Sequence, residues 1–384
     1  MFHRRHALRS LIGFAAGSPL LAQSREEQQV PDDLHGPVNV HEFEEVAKRK
    51  LHKMAYDFIA GGVEDELTLR ANREAFARTY LVPRVMVDVS EIDTSIELFG
   101  DRHEFPIFIA PTGGKNLVMP NADEVVAQAA LKTRTLICTA TGVQKLLNEG
   151  QPVYWWSNTT GQPTRQAAQD YARRIEDQGG KGIVLTVDNP YQSNRDRNNR
   201  NRFDYGYMGG GIPRPGEKRE PRTPALPAMW KPHTPNLTWQ YIEWVRAACR
   251  LPILVKGILH PEDAALAVQH GAHAIIVSNH GGRQMDGVLA SLDALPDCVQ
   301  AVGGKIPVLM DGGIRRGSDI VKALALGAKA ILVGRPPLWG LAAFGQAGVE
   351  RVLWMLGAEF KLSMGLCGVP RVSALNSSIV KRKL

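Results

Sequence analysis

The stretch PILVKGILHPEDAALAVQHGAHAIIVSN, residues 252–279, decides how the fold is read. An apolar run ends at Lys256-Gly257, a helical pattern closes at Gly271, and a second apolar run at 274–277 ends in Ser278. Continuous apolar runs of this length suit strands buried on both faces, as in a parallel sheet, and a glycine after a helical pattern suits a helix C-terminus. Residues 307–335, PVLMDGGIRRGSDIVKALALGAKAILVGR, repeat the order of strand, glycine turn, helix, Gly-Ala and strand with one extra residue. Runs of the same kind begin at 105 (FPIFIAPT), 135 (TLICTAT), 152 (PVYWWSN) and 182 (GIVLTVDNP). Eight strand-then-helix units predict an α/β fold, a closed (β/α)8 TIM barrel, over residues 105–345.

The flanking segments read differently. Residues 38–80 place apolar side chains at helical spacing, broken at Gly61-Gly62. Residues 189–236, rich in Pro, Gly, Asn and Arg, follow the fourth strand and are too long for an ordinary connection, so they read as a mobile lid over the C-terminal rim. Residues 1–23 begin with basic residues, including Arg4-Arg5, and continue into an apolar run too short to span a bilayer. They read as a twin-arginine-type export signal, which implies a periplasmic protein, followed by a linker at 24–37. A frayed amphipathic extension on a cytoplasmic protein is the other reading. Residues 376–384 form a basic tail.

With 384 residues, 44% hydrophobic and 22% charged, the chain can bury a large core. A net charge of +7 without a dense basic stripe argues against nucleic acid as a partner, and no later run is long enough for an integral membrane span. The four cysteines, Cys138, Cys249, Cys298 and Cys367, lack the spacing of a metal site or a disulfide framework, although a pair could still meet in space.

In a barrel, the residues that end the strands gather at one rim. Here they are Thr112, Ser157, Thr186, Asp188, Lys256, Ser278, His280, Asp311, Gly334 and Arg335. Each has a bland reading as a cap, a brace or a surface charge, but their convergence points to a shared site. SNHGGRQMDG at 278–287 adds a histidine able to exchange protons near neutral pH and an arginine suited to a carboxylate, separated by glycines that let backbone or ligand approach. DGGIRRG at 311–317 and GRPP at 334–337 suggest an anion site for a phosphorylated cofactor or substrate.

The runs LPILVKG, AVQHGAHAIIVSNHGGRQMDG and IPVLMDGGIRRGSDIVKALALGAKAILVGRP, with the pattern KMAYDF.AGG.ED..TL..N...F at 53–76 upstream, resemble the FMN-dependent α-hydroxy-acid oxidase and dehydrogenase family. The resemblance spans residues 38–375 and implies FMN as cofactor and oxidation of a small 2-hydroxy acid. His280 would be the base that takes the hydroxyl proton while the α-carbon's hydride moves to flavin N5, with Asp188 behind it favouring its charged form. Arg195 and Arg283 would bind the substrate carboxylate, and Lys256 would stabilise the reduced ring. The implied cofactor contacts are Pro111, Thr112, Gly113, Thr186, Lys256, Ser278, Asp311, Gly312, Gly313, Arg315, Gly334 and Arg335. Relatives of this kind are often tetramers, and the electron acceptor, oxygen or another, is not written in the residues.

Against the family pattern, Phe58 replaces a tyrosine, Trp155 and Ser157 replace a Gln-x-Tyr pair, and Ala140 and Gly142 replace a serine and a tryptophan. Trp155 is expected to crowd the flavin edge, and Gly142 with the long lid to admit a larger substrate. Two alternatives stay open: a diverged flavoprotein with another substrate class or weak activity, and a flavin-free phosphate-binding barrel, such as a lyase using Lys256.

Overall fold

The computed structural model describes residues 30–212 and 232–383. The expected export signal at 1–23 and the middle of the 189–236 segment lie outside the described residues. Helices α1 (Val40–Lys50), α2 (Lys53–Ala60) and α3 (Leu67–Ala77) lead into strand β1 (Thr79–Leu81) and the hairpin β2 (Ile96–Leu98) and β3 (Asp101–His103). Asn39 caps α1, its side chain accepting from the backbone of His41 and Glu42, and α2 stops at Gly61, within the predicted break.

Eight parallel strands then close a barrel: β4 (Ile107–Ile109), β5 (Ile137–Thr139), β6 (Trp155–Thr159), β7 (Ile183–Thr186), β8 (Ile253–Ile258), β9 (Ala274–Val277), β10 (Val308–Asp311) and β11 (Ala330–Val333). Closure comes from β11 pairing with β4, Leu332 opposite Phe108. The intervening helices are α4 (Ala122–Lys132), α5 (Gln144–Asn148), α6 (Arg165–Asp177), α7 (Asp196–Arg200), α8 (Tyr207–Gly210), α9 (Gln240–Arg246), α10 (Pro261–Gln269), α11 (Ser291–Val302), α12 (Gly317–Ala325) and α13 (Arg335–Leu366). The two sequence repeats are β8–α10–β9 and β10–α12–β11, and Gly271 and Gly327, with φ of 78° and 104°, end their helices in the left-handed region.

Two apolar layers follow from strand alternation. One cluster fills the barrel with Phe108, Cys138, Trp156, Val184, Leu254, Ile276, Leu309 and Leu332, and Ile96 and Leu98 of the β2–β3 hairpin pack into it. The other joins outward-facing residues, Trp155 among them, to the helices. The tail at 376–383 is tied to the fold: β12 (Val380–Arg382) pairs antiparallel with β1, and Arg382 donates to Asp293 of α11. All four cysteines are free thiols. Among the described residues no helix is long and apolar enough to cross a membrane.

Helix α13 is broken at Phe344 and Gly345, which leave helical φ/ψ, and the buried Gly340 and Gly348 press together across this kink. A methyl group at residue 348 would run into the Gly340 carbonyl. Gly348→Ala should therefore lower folding stability by about 1–3 kcal/mol, the usual cost of overpacking. An unchanged denaturation midpoint would show that this contact is not tight.

Candidate active site

A cavity of about 490 Å³ opens at the C-terminal rim of the barrel, within the size range of small-molecule and cofactor sites. Its wall includes Pro111, Thr112, Gly113, Lys256, His280, Arg283, Asp311, Gly312, Gly313, Arg315, Gly334 and Arg335, together with Arg195 from the segment after β7. Thr186 and Ser278 are buried behind that wall, and Asp188 is partly buried.

The loop after β9 places the histidine. Asn279 and Asn72 of α3 exchange side-chain amide hydrogen bonds at 2.9 and 2.8 Å, and Ser291 donates its backbone N–H to Asn72. This buried polar knot ties the loop to the N-terminal helices. The chain then takes three successive left-handed residues, His280, Gly281 and Gly282, with φ of 58°, 64° and 72°. A Cβ at residue 282 would stand 2.7 Å from the Leu69 amide nitrogen, so only glycine fits that approach. Gly282 thus turns the chain and docks it on α3, a close backbone approach of the kind the sequence suggested, while Gly281 borders the cavity.

Asp188 accepts from Nδ1 of His280 at 2.9 Å, and the Ser278 hydroxyl accepts from the His280 backbone N–H. With Nδ1 carrying the proton, Nε2 is left as the basic nitrogen. Burial pushes the His280 pKa below its ordinary value; Asp188 acts upward and Lys256 downward, and the net direction is down. Asp188 favours the charged ring, as expected from the sequence, but desolvation of the cation wins. Asp188, although burial acts to raise it, is held below its ordinary range by His280 and Lys256.

Lys256 is 2% exposed, donates to Ser278 Oγ at 3.0 Å and lies 3.3 Å from Asp311. Burial acts to lower its pKa, yet Asp311 and Asp188 together carry it above the ordinary value, so it stays an ammonium. Arg283 donates through one terminal nitrogen to the Phe58, Ile59 and Gly61 carbonyls at the end of α2. Its guanidinium and that of Arg195 lie 5.0 and 5.7 Å from the centre of the Phe58 ring. Without a hydroxyl, Phe58 supports the two cations through its face.

The expected phosphate end is built from β10, β11 and the turns after them. Asp319 accepts from the backbone N–H groups of Arg315 and Arg316, which fixes the turn. Burial lowers the pKa of Arg315 to about 10 and, together with the Arg315 charge, that of Arg335 to about 9. Arg335 spends its three nitrogens on the carbonyls of Ile59, Gly281 and Gly61. Its guanidinium is therefore a brace, and a phosphate would meet its charge and the positive dipole end of α13, where Arg335 carries an N–H and Pro336 and Pro337 have none.

FMN fits this lining. One oxygen of Asp311, Oδ1, is buried without a hydrogen-bond partner, as a cofactor hydroxyl would require, and the cations at the Arg315 end suit a phosphate. Among the described residues no cluster of His, Cys, Asp or Glu is placed to hold a metal ion.

Three sequence expectations need correction. Trp155 and Ser157 face outward: Trp155 packs beside Gly180, and the Ser157 hydroxyl pairs with Tyr171 of α6 at 2.7 Å. Neither borders the main cavity, so Trp155 brings no bulk there. Gly142 also lies off that cavity, with φ of 93° and no space for a Cβ, which would be 2.5 Å from Asp123 Cβ. Its glycine answers a backbone need and enlarges no substrate space. Sequence reading instead missed Asn158, whose side chain accepts from the Thr186 hydroxyl at 2.8 Å, and Asn72. Asn158 shares its strand face with Trp156, so choosing the correct alternation of WWSN would have found it; Asn72 stood in the upstream pattern that carries the family resemblance, with no role assigned to it.

The profile of the FMN-dependent dehydrogenase family matches residues 47–382. The chain belongs to this family of FMN-dependent 2-hydroxy-acid oxidoreductases. It is 41% identical over 356 residues to a peroxisomal (S)-2-hydroxy-acid oxidase of Oryza sativa subsp. japonica, covering 90% of this chain and 96% of that one. To an L-lactate oxidase of Nostoc it is 39% identical, covering 90% and 99%. A crystal structure of mandelate oxidase superposes with a TM-score of 0.80 at 37% identity, covering 91% and 99%.

If the Asn72–Asn279 pair sets the loop, Asn72→Leu should cost about 1–3 kcal/mol by removing both amide bonds of the pair and the acceptor of the buried Ser291 N–H. Proteolysis should then cut first within 279–287, and a cleavage pattern identical to the parent protein's would contradict this role.

Proposed function

We propose that the chain oxidises a 2-hydroxy acid to the 2-oxo acid with FMN as its cofactor. The observation that carries the reading is His280, anchored through Nδ1 on Asp188 with its ring on the wall of a cavity shared with Arg195 and Arg283. The two guanidiniums bind and orient the substrate carboxylate, Arg283 being held in place by the end of α2. His280, kept neutral by burial, takes the proton from the 2-hydroxyl at Nε2, and Asp188 then stabilises the imidazolium. FMN, when bound, would supply the two-electron acceptor for the α-hydrogen. Lys256 keeps a fixed positive charge on the wall, where it offsets negative charge developing during the reaction. The Arg315 and Gly334–Arg335 end would hold the phosphate, and Asp311 a ribityl hydroxyl.

A flavin-free lyase using Lys256 is disfavoured by the same electrostatics. An amine kept protonated by two carboxylates is a poor nucleophile.

The purified protein should show an oxidised-flavin band that a 2-hydroxy acid bleaches under anaerobic conditions. His280→Ala should keep the band and lose bleaching by at least about 100-fold in rate, the contribution of a positioned general base. A band that no 2-hydroxy acid bleaches would favour the diverged flavoprotein, and a protein that neither contains nor takes up FMN would remove the mechanism.

The pH dependence is a separate check. His280 must be unprotonated, and its pKa is lowered, so kcat/KM should stay flat through neutral pH and fall only below the ordinary imidazole range. Asp188→Asn removes an upward influence and should move that limb further into acid; Lys256→Met removes a downward one and should move it back toward neutral. Shifts of the opposite sign would contradict the assignment.

A further inference from the structure

Asn189 follows the carboxylate that holds His280 and stands on the wall of the same cavity. Its backbone is fixed on both sides. The Asp188 carbonyl accepts from Gln284 Nε2 at 3.2 Å, and the Pro190 carbonyl accepts from the His233 N–H at 2.7 Å. Yet the side-chain oxygen of Asn189 is buried without a hydrogen-bond partner among the described residues. Of the other polar side chains on that wall, Ser193 accepts from Arg195 Nε at 2.9 Å, His233 pairs with Thr160 at 3.2 Å, and Gln284 donates to the Asp188 carbonyl.

A buried acceptor without a partner on this wall calls for a donor from the ligand. The α-hydroxyl does not serve, because its proton goes to His280, and a second carboxylate offers no proton at neutral pH. A further hydroxyl meets the requirement. Resting on the oxidation reading above, we infer that the preferred substrate is a 2-hydroxy acid with an additional hydroxyl beside C2, whose proton Asn189 Oδ1 accepts. The reaction itself is unchanged: C2 loses its hydroxyl proton to His280 and its hydride to the cofactor, while the second hydroxyl is held and not consumed. Asn189 then sets specificity, since a site that hydrogen-bonds a substrate hydroxyl rejects the analogue that lacks it more strongly than an apolar pocket rejects a missing methylene.

The test compares two near-isosteric acids, 2,3-dihydroxypropanoate and 2-hydroxybutanoate, each as resolved enantiomers, by kcat/KM of the FMN-loaded enzyme with an artificial electron acceptor. The dihydroxy acid should win by at least about tenfold, the ratio that 1.4 kcal/mol sets. Asn189→Val should collapse the ratio to within about twofold, while Asn189→Asp, which keeps an acceptor, should preserve a preference of the same sign. Equal use of the two acids by the parent enzyme would overturn the inference, as would a preference that survives Asn189→Val or exclusive use of an aryl or alkyl 2-hydroxy acid. All three leave the oxidation reading intact. Failure of every 2-hydroxy acid to bleach the flavin would instead defeat that reading and the inference with it. If Asn189→Val does not fold, the parent ratio and the Asp variant still decide.

Discussion

Five cationic side chains, Arg195, Lys256, Arg283, Arg315 and Arg335, line one cavity, and the sole carboxylate on its described wall is Asp311. Such an arrangement is costly: burial, with repulsion from Arg195 and Arg335, drives the Arg283 pKa well below its ordinary value. Arginine does not escape the cost by shedding its proton. What relieves it is anions. A phosphate at the Arg315 end and a carboxylate between Arg195 and Arg283 would neutralise the two ends separately, which is the charge distribution of an FMN enzyme acting on an organic acid.

The fold makes this concentration of charge tolerable. Backbone carbonyls at the end of α2 accept from both Arg283 and Arg335, so the C-terminal dipole of a short helix partly offsets two guanidiniums. Gly281 and the Asn72–Asn279 pair join the same region to the loop that carries His280. The N-terminal helices are thus part of the active site's frame although they supply no base and no barrel strand. The electrostatics also separate the roles of two neighbouring titratable groups. Lys256 is held charged by Asp311 and Asp188, whereas His280 is held neutral by burial despite Asp188. One carboxylate, Asp188, faces both.

The barrel was legible because strands buried on both faces are written as unbroken apolar runs, and all eight predicted runs became strands. The rim residues His280, Lys256, Asp311 and Arg335 followed from strand ends alone. Less legible was anything set by a side chain's direction. WWSN offers no polar–apolar alternation, so a one-residue slip exchanged Asn158 for Ser157 and Trp155. Gly142 looked like missing bulk, but its left-handed backbone against Asp123 depends on a helix elsewhere in the chain. The sign of the His280 shift was likewise hidden, since a neighbouring carboxylate can be named from sequence while the depth of burial opposing it cannot.

The most direct measurement of the central claim is equilibrium binding of FMN and of riboflavin, which lacks the phosphate, to the flavin-free protein. If the cation cluster is built for an anionic cofactor, FMN should bind at least about 100-fold more tightly, since two charge-assisted hydrogen bonds suffice for that margin. Arg315→Met should erase most of the difference, with riboflavin affinity little changed. Equal affinity for the two flavins would contradict the account, because the buried positive charge at the Arg315 end would then have no anion to receive.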